Sequence, residues 1–214
     1  KYTEKQQLLD PIADADAVII RSDIVDEEVI RAGKKLKIVV RAGAGYDNVD
    51  LEAATKAGVC VMNTPGQNAN AVAELVFGLL VYAVRNFYNG TSGTELMGKK
   101  LGIHAYGNVG RNVARVAKGF GMEVLAYDAY CRAEDIKAEG VNPTCSVKTL
   151  YQGSDIVSVH IPLTAETRQI INKELLELLP KNAVMVNTAR KEVINEADLL
   201  QHMINNPKFK YVTD

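Results

Sequence analysis

Short runs of apolar, often β-branched residues alternate along the chain with longer stretches whose apolar residues recur at helical spacing. Because these runs are continuously apolar, they are typical of strands buried on both faces, as in parallel sheets covered by helices. The alternation predicts a doubly wound α/β fold, with helices at segments such as 26–32, 51–57, 111–120 and 196–204. The predicted strands are residues 17–20, 37–40, 59–62, 100–106, 123–127, 156–161, 183–187 and 210–213.

Two series of strands, separated by one long apolar segment, predict two domains. The segment at 69–85 is mostly apolar, but Asn70 and Glu74 interrupt it and it is too short to span a membrane. We expect it to form a helix buried between the domains. The predicted division is therefore a first domain at 1–68, an interdomain helix at 69–88 and a second domain at 89–214.

Composition and charge argue against some classes of function. The 214 residues include 25 Lys and Arg against 26 Asp and Glu, for a net charge of −1. This balance offers no basic surface for nucleic acid or an anionic membrane, and no secretory signal opens the sequence. Cys60, Cys131 and Cys145 lack metal-binding spacing, so we expect no metal, reduced thiols packed as small apolar residues, and a cytoplasmic protein.

A glycine-rich segment follows the predicted strand at 100–104 and leads into a helix. Ala105 stands where the dinucleotide-binding fingerprint has its first glycine, and we expect it to adopt backbone angles that a Cβ permits. Gly107 should let backbone amides approach a pyrophosphate, and Gly110 should let the helix lie close to the strand. The helix N-terminus adds N–H donors for phosphates. The predicted phosphate-binding loop is Tyr106, Gly107, Asn108, Val109 and Gly110.

An acidic residue ends the next predicted strand. Asp128 lies 18 positions after Gly110 (128 − 110). There its carboxylate should accept hydrogen bonds from the adenosine ribose and repel a 2′-phosphate, which favours NAD over NADP. The alternative for Asp128 is a solvated residue at a strand end. Because Rossmann-like methyltransferases share a glycine-rich first loop, this pattern alone does not establish hydride transfer.

Several segments, read in order, resemble the D-2-hydroxyacid dehydrogenase family. They are residues 41–74, the glycine-rich loop, 154–167 and 178–190. The resemblance implies two Rossmann-like, doubly wound parallel-sheet domains with a cleft between them, NAD as cofactor, a homodimer, and a chain truncated at both ends. It also implies hydride transfer between C2 of a D-2-hydroxy acid and nicotinamide. Within the family, segments 19–23 and 93–117 most resemble D-3-phosphoglycerate dehydrogenases.

The resemblance implies roles for individual residues of the second domain. Arg190 takes the place of the arginine that holds the substrate carboxylate and polarises the reacting carbonyl, a role that suits a planar, permanently charged guanidinium. Lys191 replaces a family glycine, which puts the backbone angles of this loop and the substrate preference in question. The family's glutamate and histidine acid/base pair comes after Asp214. Cofactor contacts are implied for His160, Pro162, Leu163, Thr167, Thr188, Ala189, Arg190 and Asp214.

Substrate contacts are implied for residues of the first domain. Arg21, followed by Ser22, is the candidate partner of the phosphate of a phosphorylated 2-hydroxy acid; pairing with Asp23 is the alternative. After the next strand, the small residues Ala42, Gly43, Ala44 and Gly45 should let backbone N–H groups reach the substrate carboxylate, while Arg41 adds positive charge. Asn68 is expected to face the substrate cleft or to cap the helix that follows it.

The remaining histidines are assigned no catalytic role. His104 is expected in the core and His202 on a polar helix face, while His160 positions the cofactor. Three functions stay open. The first is NAD-dependent oxidation of 3-phospho-D-glycerate to 3-phosphohydroxypyruvate, which leads to L-serine. The second is another D-2-hydroxyacid dehydrogenase of the glycerate or lactate type. The third is a non-catalytic NAD-sensing protein, like the corepressor branch of the family.

Overall fold

The computed structural model describes residues 4–214, which fold into two compact units that divide between Asn68 and Ala69. The strands of the first unit are parallel and lie in the order β1-β2-β3. The helices of this unit begin with side-chain caps, since Asp26 accepts from the Val29 N–H and Asp50 from the Ala53 N–H. Its elements are α1 (Gln6–Ile12), β1 (Ala17–Ile20), α2 (Glu27–Ala32), β2 (Ile38–Arg41), α3 (Leu51–Ala57) and β3 (Cys60–Asn63).

Only one face of this small sheet is covered within the described residues. Its helices pack against one another, and they share a single core with the strands, in which Val25, Val29 and Val39 are fully buried. On the opposite face, Ile19 is 75% exposed and Met62 is 52% exposed. The prediction of burial on both faces is therefore wrong for this unit, because its helices form one layer.

The second unit contains a six-stranded parallel sheet in the order β6-β5-β4-β7-β8-β9. Numbered within the unit, this is the 3-2-1-4-5-6 order of dinucleotide-binding folds. Short 3-10 helices lie at Asn86–Tyr88 and Lys191–Val193. The other elements are α4 (Ala69–Val84), β4 (Lys100–His104), α5 (Asn108–Gly119), β5 (Glu123–Tyr127), α6 (Ala133–Ala138), β6 (Asn142–Pro143), α7 (Val147–Gln152), β7 (Ile156–Val159), α8 (Lys173–Leu176), β8 (Val184–Asn187), α9 (Glu196–Asn205) and β9 (Lys210–Thr213).

Two hydrophobic cores lie in this unit. One contains buried side chains of α4, α5 and α6, and the other contains those of α7, α8 and α9. β7 and β8 are buried along their whole length, as predicted for strands covered on both faces. The prediction of a doubly wound α/β fold is confirmed here. No helix found between residues 4 and 214 has the length and apolarity needed to cross a membrane.

Two predictions of burial were wrong. His202 is 7% exposed, and its ring packs edge-on against Phe209 with 4.7 Å between the centroids. Burial lowers the pKa of His202. This happens because His202 follows Leu199 by three residues and so lies on the apolar stripe of α9. The cysteines are not packed inside: Cys60 and Cys145 are exposed and Cys131 is half-buried.

Candidate functional site

The residues predicted to bind the cofactor follow the carboxyl ends of neighbouring strands. The strand order reverses between β4 and β7, which is the position where open α/β sheets bind ligands. The phosphate-binding loop follows β4, and the segment from His160 follows β7. Asp128, Thr188 and Asp214 directly follow β5, β8 and β9. Because all these strands are parallel, one edge of the sheet carries every predicted cofactor residue.

The two glycines of the phosphate-binding loop have different structural roles. A Cβ on Gly110 would overlap the carbonyl oxygen of Ala105 and press on Ile103, so only glycine lets α5 approach β4 this closely. The packing role predicted for Gly110 is confirmed. A Cβ on Gly107 would instead enter open space, with no atom within 4 Å. Gly107 is the N-cap of α5 and supplies no side-chain cap, which leaves the N–H groups of the first turn available to an anion.

Ala105 has the backbone conformation of a glycine. Its φ is +83°, in the left-handed region, where a Cβ crowds the following carbonyl at a cost of about 1–2 kcal/mol. The prediction that Ala105 adopts angles suited to a Cβ was therefore wrong. The reason lies in its neighbours: the Ala105 N–H donates to the Tyr127 carbonyl at 2.9 Å, while its own carbonyl lies against Gly110.

Asp128 is a half-buried acceptor for three backbone N–H groups. One carboxylate oxygen accepts from the Tyr106 N–H at 2.7 Å, and the other accepts from Tyr130 and Cys131 at 2.8 Å each. The alternative of a simply solvated residue is not seen. A carboxylate has about four lone-pair sites, so Asp128 keeps room for a ribose hydroxyl while it holds the phosphate-binding loop.

Two histidines lie side by side where the strand order reverses. His104 is 4% exposed, and its Nδ1 is 3.2 Å from the Tyr151 hydroxyl, so its prediction as a core residue is confirmed. His160 Nε2 lies 2.7 Å from Ser158 Oγ. Burial lowers the pKa of His104 to about 4, and burial together with His104 lowers that of His160 to about 3. Both rings are therefore neutral near pH 7. A neutral ring can position neighbouring groups by hydrogen bonding, but it supplies no positive charge to the site. Ser158 lies in the segment 154–167, but the sequence alone did not indicate its contact with His160.

The loop after His160 is braced by its own threonines. Thr167 Oγ1 donates to the Pro162 carbonyl at 2.6 Å and accepts from the Thr164 N–H at 2.8 Å. Leu163 packs against the core beside this loop. Thr167 therefore shapes the segment that is expected to lie along the cofactor.

Asn187, which the sequence reasoning missed, builds the turn that carries Arg190. Its Oδ1 accepts from the Ala189 N–H at 2.9 Å, and its Nδ2 donates to the Arg190 carbonyl and to Tyr211 Oη at 3.2 Å each. Arg190 Nη1 donates to the Ala189 carbonyl at 3.1 Å. Asn187 lies in the segment 178–190 that resembles the family, and this was the available signal. Lys191 opens a 3-10 helix without a left-handed backbone angle, so the loop accommodates the missing glycine.

A dinucleotide fits these residues on three observations. Gly107 leaves open space beside an uncapped helix N-terminus, and Asp128 retains acceptor capacity. The Thr188 hydroxyl is buried and has no partner among residues 4–214. A buried hydroxyl without a partner is costly, which marks this strand end as a place where a further polar group belongs.

The predicted substrate residues of the first unit lie at the carboxyl edge of its sheet. Arg21 and Ser22 are exposed and follow β1, and Arg41 ends the adjacent strand β2, opposite Ile20. The paired carboxyl ends of parallel strands place Arg21 and Arg41 at one edge. Within the described chain Arg21 has no carboxylate within ion-pair distance, so the alternative pairing with Asp23 is not seen. Asn68 is exposed directly before α4.

The turn after β2 uses two of the N–H groups that were expected to reach the substrate. The Ala42 N–H donates to the Ile20 carbonyl at 2.7 Å and the Gly43 N–H to the Arg41 carbonyl at 2.9 Å. Both groups are therefore already used inside the unit, because the turn closes on itself and on β1. The N–H groups of Ala44 and Gly45 make no backbone hydrogen bond within residues 4–214 and are the remaining candidates.

Comparison with known proteins identifies the family. The NAD-binding domain of D-isomer specific 2-hydroxyacid dehydrogenases matches residues 80–214. The chain belongs to this family. The matched residues contain the whole predicted cofactor site, and NAD is the cofactor of this domain.

Individual relatives carry several enzyme names. The chain is 39% identical to D-3-phosphoglycerate dehydrogenase of Methanocaldococcus jannaschii over 92% of its own length and 40% of that protein. It is 38% identical to hydroxypyruvate reductase of Thermotoga maritima, over 96% of this chain and 70% of that one. The NAD⁺-bound crystal structure of 3-phosphoglycerate dehydrogenase from Entamoeba histolytica matches with a TM-score of 0.93 at 43% identity, covering all of this chain and 68% of that one. The chain thus spans less than half of the first of these relatives.

Proposed function

We propose that the protein oxidises 3-phospho-D-glycerate to 3-phosphohydroxypyruvate with NAD, a reaction that leads toward L-serine. The observation that carries this proposal is the pair Arg21 and Arg41 at one edge of the first sheet. Arg21 is exposed and lacks a carboxylate partner among the described residues, so its guanidinium is available to a phosphate. The phosphoglycerate dehydrogenases among the relatives support the same substrate.

The residues of the chain would divide the work as follows. When bound, NAD supplies the nicotinamide carbon that accepts the hydride. Asp128 would accept from the ribose hydroxyls, and the uncapped N-terminus of α5 would bind the pyrophosphate. Arg190 would hold the substrate carboxylate and stabilise the negative charge that develops on the reacting oxygen. The neutral, hydrogen-bonded His160 would position the cofactor, with Pro162, Leu163, Thr167, Thr188, Ala189 and Asp214 beside it.

Substitution of Arg21 tests the phosphate assignment. In the full-length protein we expect Arg21→Ala to raise the KM for 3-phosphoglycerate about 10- to 100-fold, because a charge-assisted hydrogen bond contributes about 1.5–3 kcal/mol. Arg21→Lys should restore part of the loss. The matched control is Arg31→Ala, an exposed arginine of the same unit that pairs with Glu27. An unchanged KM in Arg21→Ala would exclude Arg21 as the phosphate partner.

A second candidate function is the reduction or oxidation of an unphosphorylated 2-hydroxy acid. It is favoured by the 38% identity to hydroxypyruvate reductase, whose length the chain covers more fully. Activity with D-glycerate that Arg21→Ala leaves unchanged would support it. An NAD-sensing protein without turnover is the third candidate, and NADH binding without activity on any hydroxy acid would support that one.

We also propose that the protein forms a cytoplasmic homodimer. The end of α4 and the segment after it expose three aromatic side chains, and the Tyr82 ring packs against those of Phe87 and Tyr88; Met97 is also exposed. Such a patch on a soluble protein is typical of an interface. Tyr88→Lys combined with Met97→Lys should convert a dimer into a monomer in light scattering, and a monomeric wild-type protein would contradict the proposal. The three free cysteines suit a reducing compartment.

A further inference from the structure

A polar cluster joins the buried side chain of Tyr106, in the phosphate-binding loop, to two partly exposed charged side chains that the predicted site does not use. It consists of Tyr106, Arg111 and Glu139, which we call the Tyr106 clamp. The Tyr106 hydroxyl donates to Glu139 Oε2 at 3.0 Å. The Arg111 guanidinium lies 5.0 Å from the centroid of the Tyr106 ring and also forms an ion pair with Glu139. The three side chains therefore hold one another in a closed triangle.

The clamp connects the phosphate-binding loop to two helices. Tyr106 belongs to the phosphate-binding loop, Arg111 to the first turns of α5, and Glu139 is the residue that ends α6. Glu139 is itself fixed, because its carbonyl accepts a hydrogen bond from Lys118 Nζ near the end of α5. Movement of the loop away from α5 would break the hydrogen bond of Tyr106 to Glu139 and the stacking of Arg111 together.

Tyr106 is held at its backbone as well as at its side chain. Its N–H donates to Asp128 at 2.7 Å, and its side chain is almost fully buried, with 2% of the residue exposed. On one side lies Ala105 in a left-handed conformation, and on the other lies Gly107, the N-cap of α5. A strained backbone of this kind persists only when its surroundings fix it.

We propose that Arg111 and Glu139 are positioning residues, which act through Tyr106 to keep the phosphate-binding loop in the shape that receives the pyrophosphate. None of the three side chains needs to touch the cofactor. Burial raises the pKa of Tyr106, so its hydroxyl remains a donor to the Glu139 carboxylate throughout the neutral range. This role concerns only the binding of the cofactor. It does not depend on which hydroxy acid the protein oxidises.

The test measures binding of two ligands to the full-length protein. ADP-ribose contains the pyrophosphate, whereas adenosine contacts only the Asp128 end of the site. We expect Tyr106→Phe and Glu139→Gln each to weaken ADP-ribose binding about three- to tenfold, which is less than the loss of a direct hydrogen bond to a charged group, because the contact acts on the ligand only through the loop. Adenosine binding, measured by competition with NADH, should change less than twofold. The double variant should bind ADP-ribose about as weakly as Glu139→Gln alone, because that change already removes the charged partner of both Tyr106 and Arg111 and leaves Tyr106→Phe little further to break.

A matched control separates loss of positioning from general loss of structure. Glu134→Gln changes an acid of α6 that is not in the clamp, and this variant should bind ADP-ribose as the wild type does. Equal weakening of adenosine and ADP-ribose would overturn the proposal, as would wild-type ADP-ribose affinity in both single variants. Because no hydroxy acid is added, failure of the clamp and failure of the proposed dehydrogenase reaction are distinguishable. If Tyr106→Phe does not fold, Glu139→Gln carries the test alone.

Discussion

Two glycine-containing loops follow the carboxyl ends of parallel strands, one in each unit, and they use the missing Cβ in opposite ways. At Gly107 the space is open, beside the uncapped N-terminus of α5. At Gly43 the same space is filled by the guanidinium of Arg41. The first loop offers backbone donors to an anion, whereas the second offers a side-chain cation. A glycine in the sequence therefore does not reveal whether its space serves a ligand or a neighbouring side chain.

The largest effect is expected at the glycine that has no room. Gly110→Ala should lower the free energy of unfolding by about 2–3 kcal/mol, because its Cβ would overlap backbone and not a flexible side chain. Gly107→Ala is the matched control and should cost less than about 1 kcal/mol, yet it should weaken NADH binding. Urea unfolding and NADH fluorescence measure the two quantities. Equal stability loss in both variants would break the distinction between the two glycines.

Gly43→Ala should cost about 1–2 kcal/mol of unfolding free energy. Part of the cost is displacement of the Arg41 guanidinium, and part is the unfavourable φ of +155°. In an Arg41→Ala background no guanidinium has to be displaced, so Gly43→Ala should then cost only the free energy due to its backbone angle. The effects of the two changes on the free energy of unfolding should therefore be non-additive in chemical denaturation. Strict additivity would show that Arg41 does not occupy the space beside Gly43 in solution.

Acid should distinguish the two units, because every histidine of the chain lies in the second. The native pKa values of His104 and His160, about 4 and about 3, lie below the value of about 6.5 expected in the unfolded chain. The unfolded state therefore binds more protons, and stability falls as the pH drops from about 6.5 toward 4, by up to about 1.4 kcal/mol per pH unit for each histidine. His160→Gln should flatten this dependence between pH 7 and pH 5. A slope equal to that of the wild type would contradict the lowered pKa of His160.

The smallest effect is expected at Ala105. Ala105→Gly should raise the free energy of unfolding by about 0.5–1 kcal/mol, since glycine removes the left-handed strain but adds freedom to the unfolded chain. Ala114→Gly, in the buried interior of α5, is the opposite control and should destabilise. A loss of stability in Ala105→Gly would mean that its Cβ contributes more by packing than its backbone angle costs.

The fold was largely predictable, because its strands are defined by local apolar runs. β1, β5 and β9 match the predicted bounds, and β2 and β3 are displaced by one residue. β6, with two residues, is too short to leave a hydrophobic signal. Five strands were expected in the second domain for this reason, where the sheet has six.

The details of the site depended on contacts between residues that are distant in sequence, and these were not predictable. The left-handed angle of Ala105 follows from its neighbours on β5 and α5, and the Ala42 N–H is used by β1. The Tyr106 clamp joins residues 33 positions apart, from Tyr106 to Glu139. The placement of the candidate site residues at the carboxyl edge could be predicted, because parallel strands bring their carboxyl ends together independently of side-chain contacts.

The most direct test of the proposed function is NADH formation by the full-length protein with 3-phosphoglycerate, D-glycerate and D-lactate offered in parallel. We predict that kcat/KM for the phosphorylated acid exceeds those for the others at least about tenfold, since only that substrate places a phosphate on an arginine. Equal or greater activity with an unphosphorylated acid would contradict the assignment and make the second candidate function the better account.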